Sequence, residues 1–102
     1  MKKLVLKSEV KQVSLKELNS YEVPNWQRWK NNSNVNSLIE SLKIIGQQRE
    51  ILVCQLPNGR KLLTDGNHLK NAMIGLNYKN AWIRVSDVET EEDAFRLFVE
   101  FN

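Results

Sequence analysis

A chain of 102 residues has the size of one domain and can bury about two thirds of its unfolded surface, so one core suffices without a metal or disulfide staple. A hydrophobic share of 41%, a charged share of 26% and three Trp, three Phe and two Tyr exclude a disordered chain. One cysteine, Cys54, excludes an internal disulfide and a cysteine metal cluster, and the opening MKKLVLKSEV is too briefly apolar for a signal peptide or membrane span.

These features lead us to expect a cytoplasmic protein with no membrane partner. The net charge of +3 is unevenly placed. Residues 1–86 carry 14 basic and 6 acidic groups, +8, and residues 87–102 carry one basic and six acidic, −5. A basic body suits a polyanion such as nucleic acid, because neutralised phosphates release counterions, although on charge alone bare solubility is the better explanation of a pI of 9.1.

In chain order, KQVSLKEL alternates with Val13, Leu15 and Leu18 apolar and reads as an edge strand running into a short turn. NSYEVPNWQRWKNNSN is polar, carries Pro24 and reads as a surface loop. In NVNSLIESLKIIG the apolar positions Val35, Leu38, Ile39, Leu42 and Ile45 predict one helical stripe, stopped by Gly46. EILVCQL and RKLLTDG flank Pro57-Asn58-Gly59 and predict a hairpin.

After Gly66, Leu69, Ala72, Met73 and Leu76 repeat at helical spacing, with Asn77 placed to end the helix in a left-handed conformation. AWIRVSDV predicts a further strand. TEEDAFRLFVEF then starts a helix with Thr90 as its cap and Glu91, Glu92 and Asp93 in the first turn, its inner face being Ala94, Leu97, Phe98 and Phe101. The expected architecture is a single mixed α/β (α+β) domain over residues 1–102, with a small mixed sheet and about three helices.

The junction Asp65-Gly66-Asn67-His68 is the main candidate site. A turn from strand into helix exposes free N–H groups at the positive end of a helix dipole, which favours an anion such as phosphate. Asp65, Asn67, His68, Lys70 and Asn71 stand at or beside that mouth, and Gly66 lets a ligand approach the backbone. One His and one carboxylate are too few ligands for zinc. The same residues also make an ordinary capped turn, with Asp65 or Asn67 as the cap. A second candidate is NWQRWKNN, where Trp26 and Trp29 alternate with Arg28 and Lys30 as base stacking with phosphate contact requires. Two such rings also suit anchoring the loop to the core, which is the favoured reading, with Trp29 expected to be the more buried.

Taken together, VSLKELNSYEVPNWQR, LIESLKIIGQQREILV, LLTDGNHLKNAMIGL, WIRVSD and EEDAFRLFVEFN resemble, in order and spacing, the ParB/sulfiredoxin superfamily. The resemblance implies that fold over nearly the whole chain. It also implies a nucleoside triphosphate or diphosphate with Mg2+ as ligand, or a nucleic acid, in a phage, plasmid or other DNA-related process. Asp65, Gly66 and His68 match the Asp-Gly-x-His-Arg form of the signature found in related kinases and phage or methylase-linked members.

By that match Gly66, Asn67, His68, Lys70 and Asn71, with Gln48 and Arg49 from the GQQRE turn, become the phosphate-binding set. Asp65, His68 and Glu22 become the working groups should the domain be a kinase or nuclease. Two departures matter. Asn67 replaces the sulfiredoxin cysteine, so that chemistry is not expected, and Leu69 replaces the phosphate-clamping arginine with a residue of the apolar stripe. We therefore expect a nucleotide- or nucleic-acid-binding domain without strong catalysis, the alternatives being an enzyme of the same fold or a protein-interaction module using the acidic last helix. ParB proteins continue into helix-turn-helix and dimerisation domains beyond the point matching the end of this sequence, so operator binding by this chain alone is not expected.

Overall fold

Serine at position 14 ends a strand and starts a helix in the same step. Its Oγ accepts the Glu17 N–H at 3.0 Å, and the i, i+3 pair Leu15 and Leu18 then buries on one side of a single turn. The computed structural model describes residues 3–26 and 35–100. These form β1 (Lys7–Ser14), α1 (Leu15–Leu18), α2 (Val35–Ile45), β2 (Ile51–Gln55), β3 (Lys61–Asp65), α3 (Asn67–Gly75), β4 (Asn80–Asp87) and α4 (Glu91–Glu100). The sheet order is β1-β4-β2-β3, with β1 antiparallel to β4, β4 parallel to β2 and β2 antiparallel to β3.

This is the expected small mixed sheet with helices. The short α1 is an addition to the expected set, and β1 starts earlier than the alternation in KQVSLKEL suggests. Its first half is exposed on both faces and therefore shows no apolar period.

Strand alternation divides the core between the two faces of the sheet. Ile51, Val53, Ala81, Ile83 and Val85 pack on one face with α1, α2 and α3, while Cys54, Leu62 and Val88 pack on the other with Ala94 and Leu97 of α4. Because α4 covers only the β2–β3 half of its face, Val10 and Trp82 on the β1–β4 half stay 45% and 49% exposed.

Gly46 closes α2 at φ +75° and Asn77 closes α3 at φ +64°, as expected. The α2 stripe is shorter than predicted. Leu42 is buried, but Ile45 is 57% exposed and its neighbour Ile44 78%. The Val35 side chain and Phe101 lie outside the described residues. Thr90 accepts the Asp93 N–H at 3.1 Å and caps α4. Trp26 is anchored as expected, its ring 4.7 Å from Phe98 and 5.5 Å from Phe95. Trp29, Arg28 and Lys30 lie outside the described residues.

Candidate functional site at the start of α3

The β2–β3 ladder shifts register after Leu52, which faces Asp65 while Val53 faces Leu63, so Thr64 is the extra residue. The Thr64 hydroxyl donates a hydrogen bond to the Leu52 carbonyl at 3.0 Å. Such a bulge bends a strand end and re-aims its last side chains. Gly66 follows in a left-handed conformation, φ 102° and ψ 20°. A Cβ there would lie 3.2 and 3.3 Å from the Ile51 side chain and 3.4 Å from its Cα. Glycine is required both by the dihedral and by the space.

With glycine as its N-cap, α3 begins without a side-chain cap and without an acidic residue in its first turn. The N-cap position itself falls to Gly66 and not to Asp65 or Asn67. Asp65 is buried and has a partner of its own. Asn67 keeps its Oδ1 buried with no hydrogen-bond partner. His68 is half-buried and Asn71 exposed.

Lys70 donates its backbone N–H to the Gly66 carbonyl at 2.8 Å, and its side chain is only 5% exposed. Burial holds its ammonium below the usual lysine range. Lys70 was expected at or beside the mouth as a cation; the fold buries most of its length. Leu69 is buried in the main core, in agreement with its place in the apolar stripe.

The GQQRE turn arrives beside this junction because β2 begins at Ile51, the residue against which Gly66 is pressed. Gln48 is occupied, donating from Nε2 to the Ile45 carbonyl at 2.9 Å, and Arg49 is exposed. The residue that fixes the turn is Gln47, which sequence reasoning did not single out. Its Nε2 donates to the carbonyls of Arg49 and Trp82 and its Oε1 accepts the Trp82 N–H, all at 2.8 Å. Nothing in the sequence pairs it with a partner 35 positions away.

Glu22 stands apart from this group. Its main chain bridges β3 at Leu62, three residues before Asp65 and so about 10 Å along the strand. Its carboxylate takes two hydrogen bonds from Arg60, at 2.8 and 2.7 Å, and Arg60 also reaches Glu91 at 3.3 Å. The Arg60 hydrogen bond holds the Glu22 carboxyl below its ordinary range, which makes it a poor base. Burial pushes the Cys54 thiol up to about 11, so it is inert at neutral pH, in line with the absence of a cysteine from the signature turn. Among the described residues no cluster of three or more His, Cys, Asp or Glu could hold a metal ion, and no helix is long and apolar enough to cross a membrane. The acidic first turn of α4 is partly engaged, Glu91 with Arg60 and Glu92 with Arg96 at 3.0 Å.

No protein-family model and no curated protein sequence matches the chain. Solved structures do. A pNOB8-like ParB N-domain is similar with a TM-score of 0.76 at 19% identity, over 94% of this chain and 38% of that one. The C-terminally truncated chromosome-partitioning protein ParB from Caulobacter crescentus, complexed with CTP-gamma-S, gives 0.69 at 14% identity, over 92% of this chain and 52% of that one. Sulfiredoxin from Arabidopsis thaliana gives 0.59 at 20% identity, over 89% of this chain and 97% of that one. The fold is therefore ParB/sulfiredoxin-like, and the chain spans between about a third and a half of the ParB chains it matches.

Proposed function

We propose that this ParB/sulfiredoxin-like domain binds a nucleoside triphosphate or diphosphate, with Mg2+ accompanying the phosphates, in a DNA-related process and without strong catalysis. The observation that carries the reading is the start of α3: a left-handed, uncapped Gly66 pressed on Ile51, beside an Asn67 Oδ1 that is buried and unpartnered. Uncapped N–H groups take phosphate oxygens. The Asn67 carbonyl takes a donor, which a nucleotide hydroxyl or a metal-bound water supplies. Gly66, Asn67, His68, Lys70 and Asn71 form the phosphate side, with Arg49 reaching in from the GQQRE turn and Gln48 holding that turn against α2.

Affinity is low by design of the sequence. Leu69 stands where a guanidinium would make a charge-assisted pair contributing roughly 1.5–3 kcal/mol, so binding is weaker by about one to two decades. Catalytic roles for Asp65 and His68 belong to a second reading, in which Glu22 would first have to leave Arg60. A role in nucleic-acid stacking is weakened for Trp26, whose ring is already packed on Phe95 and Phe98.

Thermal unfolding in the presence of CTP, ATP, ADP or GTP with Mg2+ tests the proposal, since a ligand bound only by the native state raises the midpoint. At least one nucleotide is expected to raise it at millimolar concentration, with a rise that grows with the logarithm of ligand concentration above Kd. No shift with any of the four removes the nucleotide reading. Turnover that disappears in His68→Ala replaces it with an enzymatic one.

A further inference from the structure

The two edges of the sheet are finished differently. The β3 edge is covered: the Glu22 N–H donates to the Lys61 carbonyl at 3.1 Å and the Leu63 N–H to the Glu22 carbonyl at 2.8 Å. The β1 edge carries no such strip among the described residues. Which of its groups face outward follows from hydrogen-bond parity, because in an antiparallel ladder alternate residues bond toward the neighbour. Leu15 donates to the Lys79 carbonyl at 2.9 Å, in register with Val13 opposite Ala81 and Lys11 opposite Ile83. Odd-numbered residues of β1 therefore bond to β4, and Ser8, Val10 and Gln12 point their main-chain N–H and C=O away from the sheet. The far side of β4 confirms the parity: Trp82 bonds to the Gln47 amide and Val88 to the Gln55 carbonyl at 3.0 Å, both away from β1.

Charges on an edge strand normally block pairing with another chain. Here they alternate in sign: Lys7, Glu9, Lys11. We propose that β1 pairs antiparallel with β1 of a second copy about a two-fold axis at Val10, joining two sheets into one.

Parity admits several centres and the charges select one. A centre at Val10 sets Glu9 opposite Lys11 of the second copy, twice by symmetry, with Ser8 opposite Gln12 and Val10 opposite Val10. A centre at Glu9 sets Glu9 against Glu9 and Lys7 against Lys11, and a centre at Lys11 sets Lys11 against Lys11. Like charges directly opposed destabilise a ladder while opposite charges support it. The face that α4 leaves open supplies the apolar part. Val10 and Trp82 line the same shallow hollow there, and across the axis the two pairs cover one another. An interface of one strand per copy is small, so the dimer is reversible and concentration-dependent.

The test uses the full chain carrying Val10→Cys, with the buried Cys54 as the only other thiol. Directly opposed residues in a hydrogen-bonded pair have Cα atoms about 5.5 Å apart, within disulfide reach. Mild oxidation with diamide is expected to give a covalent dimer for Val10→Cys. Gln12→Cys should stay monomeric, its symmetry mate being four residues away and about 13 Å distant. Adding Glu9→Lys to Val10→Cys should slow cross-linking about tenfold, as two attractive pairs become repulsive. Adding Lys11→Glu as well should restore it, an outcome that a merely sticky surface does not give. Equal cross-linking of Val10→Cys and Gln12→Cys, or indifference to charge reversal, overturns the proposal. So does a wild-type chain that sediments as a monomer at every concentration while Val10→Cys fails to cross-link, and it would leave the edge for a strand of a different protein.

Discussion

The N-terminus of α4 and the N-terminus of α3 solve the same problem in opposite ways. A helix start leaves N–H groups without intrahelical partners and a partial positive charge. At α4, Thr90 accepts the Asp93 N–H, and Glu91, Glu92 and Asp93 place negative charge in the first turn, so the end is satisfied from within the chain. At α3 a left-handed glycine stands as the cap, no acid follows in the first turn, and the Lys70 ammonium adds positive potential. The first arrangement is what stability alone favours. The second forgoes a side-chain cap, typically about 1 kcal/mol, and leaves the end open to an external anion.

The largest expected break in this comparison comes from giving α3 a side chain at its cap. Gly66→Ala must accept φ +102° and a Cβ 3.2 Å from Ile51. Left-handed strain of about 1–2 kcal/mol plus a packing conflict of similar size should lower the melting midpoint by roughly 10–25 °C. A drop under about 3 °C, followed by circular dichroism, means the turn is not held as described.

Next in size is Leu69→Arg, which moves the two functions of α3 in opposite directions. Replacing a core residue of the first turn by a charge should cost about 2 kcal/mol of stability, while the guanidinium should tighten nucleotide binding by about one to two decades. Titration calorimetry beside a denaturant curve reads both. Unchanged affinity, with Asp65→Ala and His68→Ala also silent, reduces the junction to a structural turn. At α4, Thr90→Ala should cost about 1 kcal/mol and leave nucleotide affinity untouched, since that end is satisfied internally. A change in affinity there would dissolve the contrast between the two helix starts.

The positions of both helix starts and the Thr90 cap were legible before the fold was known, because they are local; that Gly66 and not Asp65 or Asn67 takes the α3 cap position was not. Thr90 and Asp93 lie three positions apart, and Asp65-Gly66-Asn67 sits where an apolar strand pattern meets a helical one. Asn77, Gly46 and the hairpin turn were legible for the same reason. What stayed hidden depends on contacts distant in sequence. Gln47 acquires its role only when Trp82 comes alongside, and Glu22 is withdrawn from chemistry only by Arg60, 38 positions away. Trp26 needed the α4 rings to decide between anchoring and stacking. The burial of Lys70 was not legible, because a lysine is rarely buried and nothing in its own turn of helix announces it.

Lys70 gives the smallest effect and the most specific one. Its folded-state pKa is depressed by burial, so the unfolded chain holds the proton more tightly than the native one. The protonated lysine therefore costs stability at neutral pH. That cost is constant below the folded pKa, shrinks as pH rises toward the ordinary value near 10.5, and is gone above it. Lys70→Met should then raise the midpoint by about 1–3 °C at pH 7, with the advantage vanishing above that window. A phosphate seated on the first turn of α3 acts oppositely on the wild type, stabilising the ammonium and raising its pKa. Nucleotide binding in the upper part of the window should accordingly take up protons, which calorimetry in two buffers of different ionisation enthalpy detects, and Lys70→Met should abolish that uptake. Binding with no proton uptake in the wild type would place the Lys70 ammonium out of reach of the anion, leaving the first-turn N–H groups, Asn67 and Arg49 to hold it.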